Sequence, residues 1–501
     1  MNNRKLGIVL SYGFILLNSV IGVLLTPFLL KSLGTAEYGV FQLIVSFSAY
    51  LIILDFGTTT TVTRYVSKYL SDKDYKGRDN YIATSLIISG IFSILIIIVG
   101  LGLFTQLQTL FGQSLDSHQI GKAKVLFILV MLNIAMTVFK NSFDGIILGH
   151  ESFLFPNILK NLRVVGRTLL IVIFLNLGFD SISIVLIDIG LTIIILIVNI
   201  CYCLFKLRIK VKLYTFDKYL FKDTLTFSTA IFLQSIVIQV NNNADKVLLG
   251  ILKGPEVVAL YSIAMLIFSV FFSVSSVNSL YLPEATRLFK KKAKGNELVD
   301  LAVKPGRMIA MFSLAILGGF FLCGRDFINL WVGEKYIDAW GISLIMMLSM
   351  IIPMVQTVMI SILNAMKKRM FRSISLCIMA AINILLTIIL VKKMGYMGAP
   401  IASLIATVIG DVIILNFYYI KILKLNTIRL LKLIFRGILI SFLLSTVITY
   451  PIVYFLDNSW INLIIKIMIY IFISTCFLIL FGLTNEEKRF LSRYKLLNKI
   501  R

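Results

Sequence analysis

Side chains that build reactive centres are what this chain has least of. Its two histidines, His118 and His150, are far apart and lack metal-ligating neighbours, which removes a common route to a metal site. Its five cysteines (Cys201, Cys203, Cys323, Cys377 and Cys476) lie in or beside apolar stretches. Their spacing makes neither a disulfide framework nor a zinc site and leaves the redox compartment open. Neither a phosphate-cradling glycine loop nor a hydrolase elbow occurs, so the chain alone is not expected to drive transport with ATP, and no cofactor is expected. Acidic residues are few as well: 24 Asp and Glu stand against 49 Lys and Arg, a net charge of +25. In a soluble protein that balance suggests nucleic acid. Here no polar segment is long enough to form a binding face, which excludes nucleic acid as a partner and a soluble catalytic domain alike.

What the chain does have is apolar length. Its hydrophobic content is 58% and its mean hydropathy is +0.94, far above a soluble protein. A helix needs roughly 20 apolar residues to cross hydrocarbon. Stretches at about 6–30, 38–56, 81–105, 123–147, 157–177, 182–205, 225–252, 257–282, 308–331, 340–365, 373–391, 398–420, 433–456 and 460–483 qualify. The first is too long for a signal-peptide core and lacks a small-residue cleavage site, so it is expected to stay as the first helix. The predicted class is an all-α integral membrane protein with about 14 transmembrane helices.

Lys and Arg gather at both termini and in alternate connections (64–79, 206–222, 287–304, 367–372, 421–436), whereas connections such as 31–37, 176–180 and 253–256 are short and poor in base. That bias puts the basic connections and both termini on the cytoplasmic side and draws the surface to anionic lipid headgroups. The longest external connection, about 106–121, is too short to carry the catalytic groups of a membrane-embedded polymerase or ligase. A non-enzymatic protein is the expectation.

An internal repeat appears. Gly34 corresponds to Gly254, 220 positions on; Arg64 to Arg287, 223 on; Gly178 to Gly395, 217 on. The offset spans six helices, an even number, so both copies enter the membrane the same way up. Such a parallel repeat makes two bundles about an axis along the membrane normal, with a site between them near the midplane. The domains expected are a six-helix lobe at 1–205, a basic linker at 206–224, a second six-helix lobe at 225–424, and two further helices with a basic tail at 425–501.

Ionisable groups inside a membrane cost about 2.5–3.5 kcal/mol each on insertion scales and mark cavities or partners. In the fifth stretch Lys160, Arg163 and Arg167 recur at i, i+3 and i+7 and share one helix face. From a cytoplasmic start near Pro156, Arg167 lies about 15 Å along that helix, close to mid-bilayer. Arg presents a fork of donors that suits phosphate; the alternative is a stripe that snorkels to the inner interface. In the seventh stretch Gln234, Asn241 and Asp245 share a face, with Asn242 and Lys246 beside it. That pattern fits a wet cavity, where Asp245 carries a proton or sodium ion and Lys246 holds phosphate, or a static network between helices. Arg64 and Arg287 end repeat-matched helices, either flanking the cytoplasmic mouth of a cleft or serving as positive-inside anchors. Asp188 and Asp411, deeply placed, are secondary candidates for ion coupling, and Asp55, Lys140 and Lys466 are isolated charges. Asp72-Lys73-Asp74 matches the DxD pattern of glycosyltransferases but reads as a solvated turn.

LLKSLGTAEYGVFQL after the first helix, LDFGTTTTVTRYVSKY closing the second, and DKVLLGILKGPEVVALYSIA across the seventh and eighth resemble the polysaccharide-flippase branch of the MOP superfamily. FINLWVGEKYIDAW and ILNAMKKRMFRS fit the same branch, and the similarity runs from about residue 1 to 425. The resemblance implies a Wzx-type flippase with a MATE-like fold: two six-helix lobes, alternating access and a cationic cavity. Its substrate would be an undecaprenyl-diphosphate-linked oligosaccharide of the O-antigen, capsule or exopolysaccharide type, moved across the bacterial cytoplasmic membrane. Membrane lipids, a coupling H+ or Na+, and polysaccharide polymerase and chain-length proteins would be its partners. Carried onto this chain, the diphosphate-binding candidates are Arg64, Arg163, Arg167, Lys246 and Arg287, and the coupling candidates are Asp245, Asp188 and Asp411. The intramembrane acids depart from a purely cationic cavity. A lipid II flippase and a MATE-like ion-coupled exporter are the alternatives; the basic stripe argues against the second, which needs carboxylates to dominate.

Overall fold

The computed structural model describes residues 3–215, 218–275, 287, 295–366 and 368–489. Among them there are helices and connections but no β-strand. Hydrocarbon offers the backbone no hydrogen bonds, so continuous apolar segments satisfy their own N–H and C=O groups as helices. In chain order these are α1 (Asn3–Ser48), α2 (Thr58–Ser71), α3 (Tyr75–Phe111), α4 (Ser117–Gly149), α5 (Leu154–Asn176), α6 (Ser181–Cys201), α7 (Lys218–Lys253) and α8 (Pro255–Phe272). They continue as α9 (Gly295–Val332), α10 (Ala339–Val355), α11 (Thr357–Ala365), α12 (Arg369–Met394), α13 (Gly398–Thr407), α14 (Thr427–Phe435), α15 (Ile438–Tyr454) and α16 (Trp460–Phe477).

Ten helices among the described residues are long and apolar enough to cross a membrane, or eleven if the pair α14 and α15, bent by 41°, counts as one span. Fewer pass than the fourteen stretches for identifiable reasons. Leu17–Ser71 and Met370–Ile422 run for 55 and 53 residues, about 80 Å each and more than twice the hydrocarbon thickness. Each is broken by a glycine in a left-handed conformation, Gly34 at φ 76° and Gly395 at φ 64°. The helix α5 is absent from the ten, its apolar window being interrupted by the three cations of the stripe. The chain is a multi-pass helical membrane protein.

All four glycines paired by the repeat take positive φ: Gly34 and Gly254 at 76° and 90°, Gly178 and Gly395 at 88° and 64°. Only glycine adopts this conformation without strain, so the repeat is visible as matched backbone turns. Gly254 is followed by Pro255 at the first position of α8, an arrangement that stops one helix and starts the next. The turn Asp72–Asp74 behaves as expected of a solvated connection, with Lys73 at φ 56° and Asp74 capping α3 by accepting from the Gly77 N–H at 2.8 Å. The external connection expected at 106–121 shrinks to 112–116. The helix α3 runs on to Phe111, and Asp116 and Gln119 form a capping box that starts α4 early.

Packing divides the chain into two compact units, Met1–Ser262 and Ile263–Arg501. This division falls later than the basic stretch 206–224, because α7 packs on the first unit. The Phe232 ring stacks on Phe56 at 4.4 Å, and Phe56 stacks on Phe92 at 4.5 Å. The hydroxyls of Thr61 and Ser228 lie 3.2 Å apart, and Tyr65 donates to Asp223 at 2.5 Å. Gly39, in the second half of α1, lies so close to Pro255 that a Cβ there would meet the Pro255 carbonyl oxygen at 1.9 Å. Gly39→Ala is therefore expected to force backbone apart and cost about 1–3 kcal/mol, read as a lower unfolding midpoint of the detergent-purified protein.

At one end of the first unit, Lys122 ties three helix starts together. Its Nζ lies 2.8 Å from Glu37 and 3.0 Å from Asp180, and Glu37 also accepts from the Ser181 N–H at 2.8 Å. In the second unit the helices α14–α16 lie outside the repeat and are fastened by charge. Arg307 of α9 reaches the end of α14, the chain after α16 and Glu487. Lys466 of α16, isolated in the sequence, pairs with Asp326 of α9 at 2.6 Å.

Candidate functional site

The basic stripe opens onto a cavity. Phe14 and Asn18 of α1, Asn157, Lys160, Arg163, Val164 and Arg167 of α5, and Asp188 of α6 line a space of about 600 Å³. Sequence periodicity had put the three cations on one face, and the structure places that face on the cavity. All of these residues lie in the first unit. The repeat leads to the expectation of a site between two bundles; the cavity that gathers the stripe is walled by α1, α5 and α6 of the first unit.

Each cation is held differently. Lys160 is exposed and has no hydrogen bond or ion pair among the described residues. Arg163 donates from Nη2 to the Thr192 hydroxyl at 3.1 Å. Arg167 is committed to Asp188 through both arms of its fork, Nε to Oδ1 at 2.6 Å and Nη2 to Oδ2 at 3.0 Å. Thr192 sits one turn after Asp188, and its hydroxyl is 2.8 Å from both the Asp188 carbonyl and Asn133 Oδ1. Three cations thus face one carboxylate, and the excess is positive. An oxygen-rich anion would find two Arg forks and an ammonium along about 10 Å of helix, at 1.5 Å per residue. Among the described residues no three His, Cys, Asp or Glu side chains converge to hold a metal ion.

Behind this wall lies a second polar group, of which Asp55 and Lys140 stand in the sequence as isolated charges. Lys140 is buried and pairs with Asp144 one turn on, at 2.5 Å. Asn199 of α6 donates to the other Asp144 oxygen at 2.7 Å. Asp55 is approached by Asn141 Nδ2 at 3.5 Å. A buried pair with its remaining oxygens satisfied can be carried in a membrane interior. The i, i+4 spacing of Lys140 and Asp144 was the available signal. Asp188 stands out in the sequence by its depth, but its pairing with Arg167 carries no signal there, because that partner is on another helix.

On α7, Asp245 is buried and accepts from the Tyr261 hydroxyl at 2.7 Å, while Asn243 donates to Gln239 Oε1 at 2.9 Å. Lys246 is half-buried and has no hydrogen bond or ion pair among the described residues, so it is not paired with its neighbour Asp245. Neither residue lines the cavity. Arg64, exposed, places its guanidinium 4.2 Å from the Phe227 ring centroid and 5.6 Å from that of Tyr65, away from the stripe. Arg287 is exposed, and its neighbours 276–286 and 288–294 lie outside the described residues. In the second unit Asp411 sits in a π-helical stretch, Val408–Ile414. Its Oδ1 is buried without a hydrogen-bond partner among the described residues, and Arg372 is the cation that acts on it. The second unit thus sets Arg372 near Asp411 as the first sets Arg167 near Asp188, and of these two couples only Arg167 and Asp188 form a two-point pair.

Residues 7–279 match the family model described as "Polysaccharide biosynthesis protein". No curated protein matches the chain in sequence. Among solved structures, a lipid II flippase, MurJ, in an inward closed conformation is similar at 17% identity and a TM-score of 0.73, over 94% of this chain and 98% of that one. An inward-facing multidrug resistance MATE family transporter of the MOP superfamily is similar at 16% identity and a TM-score of 0.62, over 83% and 96%. A eukaryotic MATE transporter follows at 16% and 0.55, over 82% and 94%. At these identities the likeness is one of fold, and it bears out the MOP architecture expected from the sequence.

Proposed function

The chain belongs to the polysaccharide biosynthesis protein family, and from that premise we propose that it is a Wzx-type flippase that moves polyprenyl-diphosphate-linked oligosaccharide repeat units across the bacterial cytoplasmic membrane by alternating access. The observation that carries this reading is the convergence of Lys160, Arg163 and Arg167 on one cavity of about 600 Å³. A diphosphate cannot pass hydrocarbon bare, and donors fixed along a helix replace its water. The cavity volume falls within the range of small-molecule sites, enough for a headgroup whose polyprenyl chain stays in lipid. Lys246, half-buried on α7, would be a second contact for phosphate. Arg64 and Arg287 keep the role of inner-end anchors.

The lobes assigned are 1–205 and 225–424, with 425–501 as an accessory helical pair, and the basic connections place both termini in the cytoplasm. A proton or sodium gradient supplies the work, with Asp188, Asp245 and Asp411 as the carboxylates in reach of the membrane interior. The protein carries its substrate without altering it. A MATE-like cation exporter fits less well, because the cavity's single carboxylate is already bound to Arg167. A lipid II flippase is the second reading, favoured by likeness to MurJ over 94% of this chain.

Complementation separates the two. The gene is expected to restore surface polysaccharide to a strain lacking its repeat-unit flippase and to leave a strain lacking its lipid II flippase inviable. The reverse pattern would transfer the assignment to lipid II, and failure in both would remove the flippase reading.

A further inference from the structure

We propose that the Arg167–Asp188 pair is an exchange switch: an arriving phosphate takes the guanidinium from the carboxylate, and the released Asp188 binds a proton, so that anion and proton load the cavity together. The inference rests on the reading of the stripe as a phosphate site.

In the structure described, Arg167 is the one stripe residue whose fork is fully occupied by a carboxylate. Phosphate offers the same two-oxygen geometry, and more charge, to the same donors. Lys160, with no partner among the described residues, and Arg163, bound only to a neutral hydroxyl, would draw a phosphate to the neighbouring turns of α5 and present it to Arg167. The pair is also within reach: the side chains of Arg167 and Asp188 are 34% and 19% exposed.

Once Arg167 turns to phosphate, Asp188 loses both of its hydrogen bonds to a cation, and the cations left on the stripe are those drawn to the same phosphate. From α5, Arg163 faces Asp188 and also feels Asp144. From α4, Lys140 is held by Asp144, and Asn133 contributes a neutral amide near Thr192. From α6 itself comes the Thr192 hydroxyl, which lies against the Asp188 backbone carbonyl. From α1, the cavity wall is Phe14 and Asn18, both uncharged. A carboxylate deprived of its counter-ion in such surroundings takes a proton rather than remain charged. The proton comes from water at the mouth of the cavity and goes to an Asp188 Oδ; when the phosphate leaves, Arg167 returns and the proton is expelled. Substrate loading and proton binding are then two readings of one event.

The test uses the full chain in nanodiscs, with farnesyl diphosphate as the probe. Calorimetric titration at pH 8 in two buffers of different ionisation enthalpy gives the protons taken up per ligand bound. Wild type is expected to take up about one. Asp188→Asn is expected to bind at least as tightly, since Arg167 is released, and to take up none. Asp188→Glu, which keeps a carboxylate, is expected to keep the uptake and serves if the Asn variant does not fold. Binding by wild type without proton uptake, or uptake unchanged in Asp188→Asn, overturns the switch while leaving the phosphate site standing. Binding that is absent, or indifferent to Lys160→Ala and Arg163→Ala, overturns the phosphate site and the switch with it.

Discussion

Arg167→Ala is expected to abolish surface polysaccharide in the complemented strain while the protein still accumulates in the membrane. The guanidinium makes two charged hydrogen bonds, and losing such a contact to a substrate costs about 1.5–3 kcal/mol, roughly a 10- to 100-fold loss in transport rate. Removing Arg167 also strands Asp188, so the single variant alone does not identify the cause. Binding of farnesyl diphosphate by the double variant Arg167→Ala/Asp188→Asn, set beside Asp188→Asn alone, does. If Arg167 serves only to neutralise Asp188, the two variants bind alike; if Arg167 holds phosphate, the double variant binds roughly 10- to 100-fold more weakly. Cell-surface polysaccharide, with protein levels by immunoblot, reads the single variant, and calorimetric titration reads the pair, for which we expect the weaker binding.

The second large effect concerns stability. Arg307→Ala is expected to destabilise the protein by about 3–5 kcal/mol, the usual cost of stripping one partner from a buried charge network. Arg307 is 3% exposed, and every arm of its guanidinium is used. It donates to the carbonyls of Leu433 at 2.9 Å, Arg436 at 3.2 Å and Gly482 at 2.6 Å, and to both oxygens of Glu487 at 2.9 and 3.0 Å. Carbonyls at a helix end have no intrahelical partner, and this side chain supplies one for α14 and for the turn after α16 together. Arg307→Lys is expected to rescue little, because an ammonium has three donors and no fork. A lower unfolding midpoint, with new protease cleavage between 423 and 437, is the measurement; an unchanged midpoint refutes the role.

The same latch predicts a pH dependence. Burial opposes ionisation of Glu487, but hydrogen bonds from Arg307 and Thr484 outweigh it and hold the carboxyl below its ordinary value. A depressed acid stabilises the fold above its unfolded value and loses that contribution as the pH falls through the lowered one. Glu487→Gln should therefore lower the midpoint at pH 7 and flatten its decline below about pH 4.5.

Much of this architecture was legible because membrane helices announce themselves by length and composition. The stripe Lys160, Arg163 and Arg167 could be read from helical period alone, since all three residues lie on one element. Asp188 could not be joined to them: it lies on the next helix, and periodicity is silent about which faces of two helices meet. Lys140 and Asp144 were readable in principle at i, i+4, yet the buried partner Asn199 again came from elsewhere. Arg307 carried no signal, because a cation near a helix end looks like an ordinary anchor until the carbonyls it serves are seen. Where α7 packs is not legible in the sequence for a related reason. A basic connection marks which side of a membrane a loop is on, whereas Phe56, Phe92 and Phe232 decide where the following helix packs.

The left-handed glycine at position 34 also has a mechanical consequence. Phe14 and Asn18, one wall of the cavity, lie 20 and 16 residues before it on α1, whereas the helix after it is pinned through Glu37 to Lys122 and to the Ser181 N–H. The segment before Gly34 is thus a lever about 30 Å long with its fulcrum at the fastened end. A tilt of about 10° there would carry Phe14 through about 5 Å, so the width of the cavity would be set at a point far from the charges that line it.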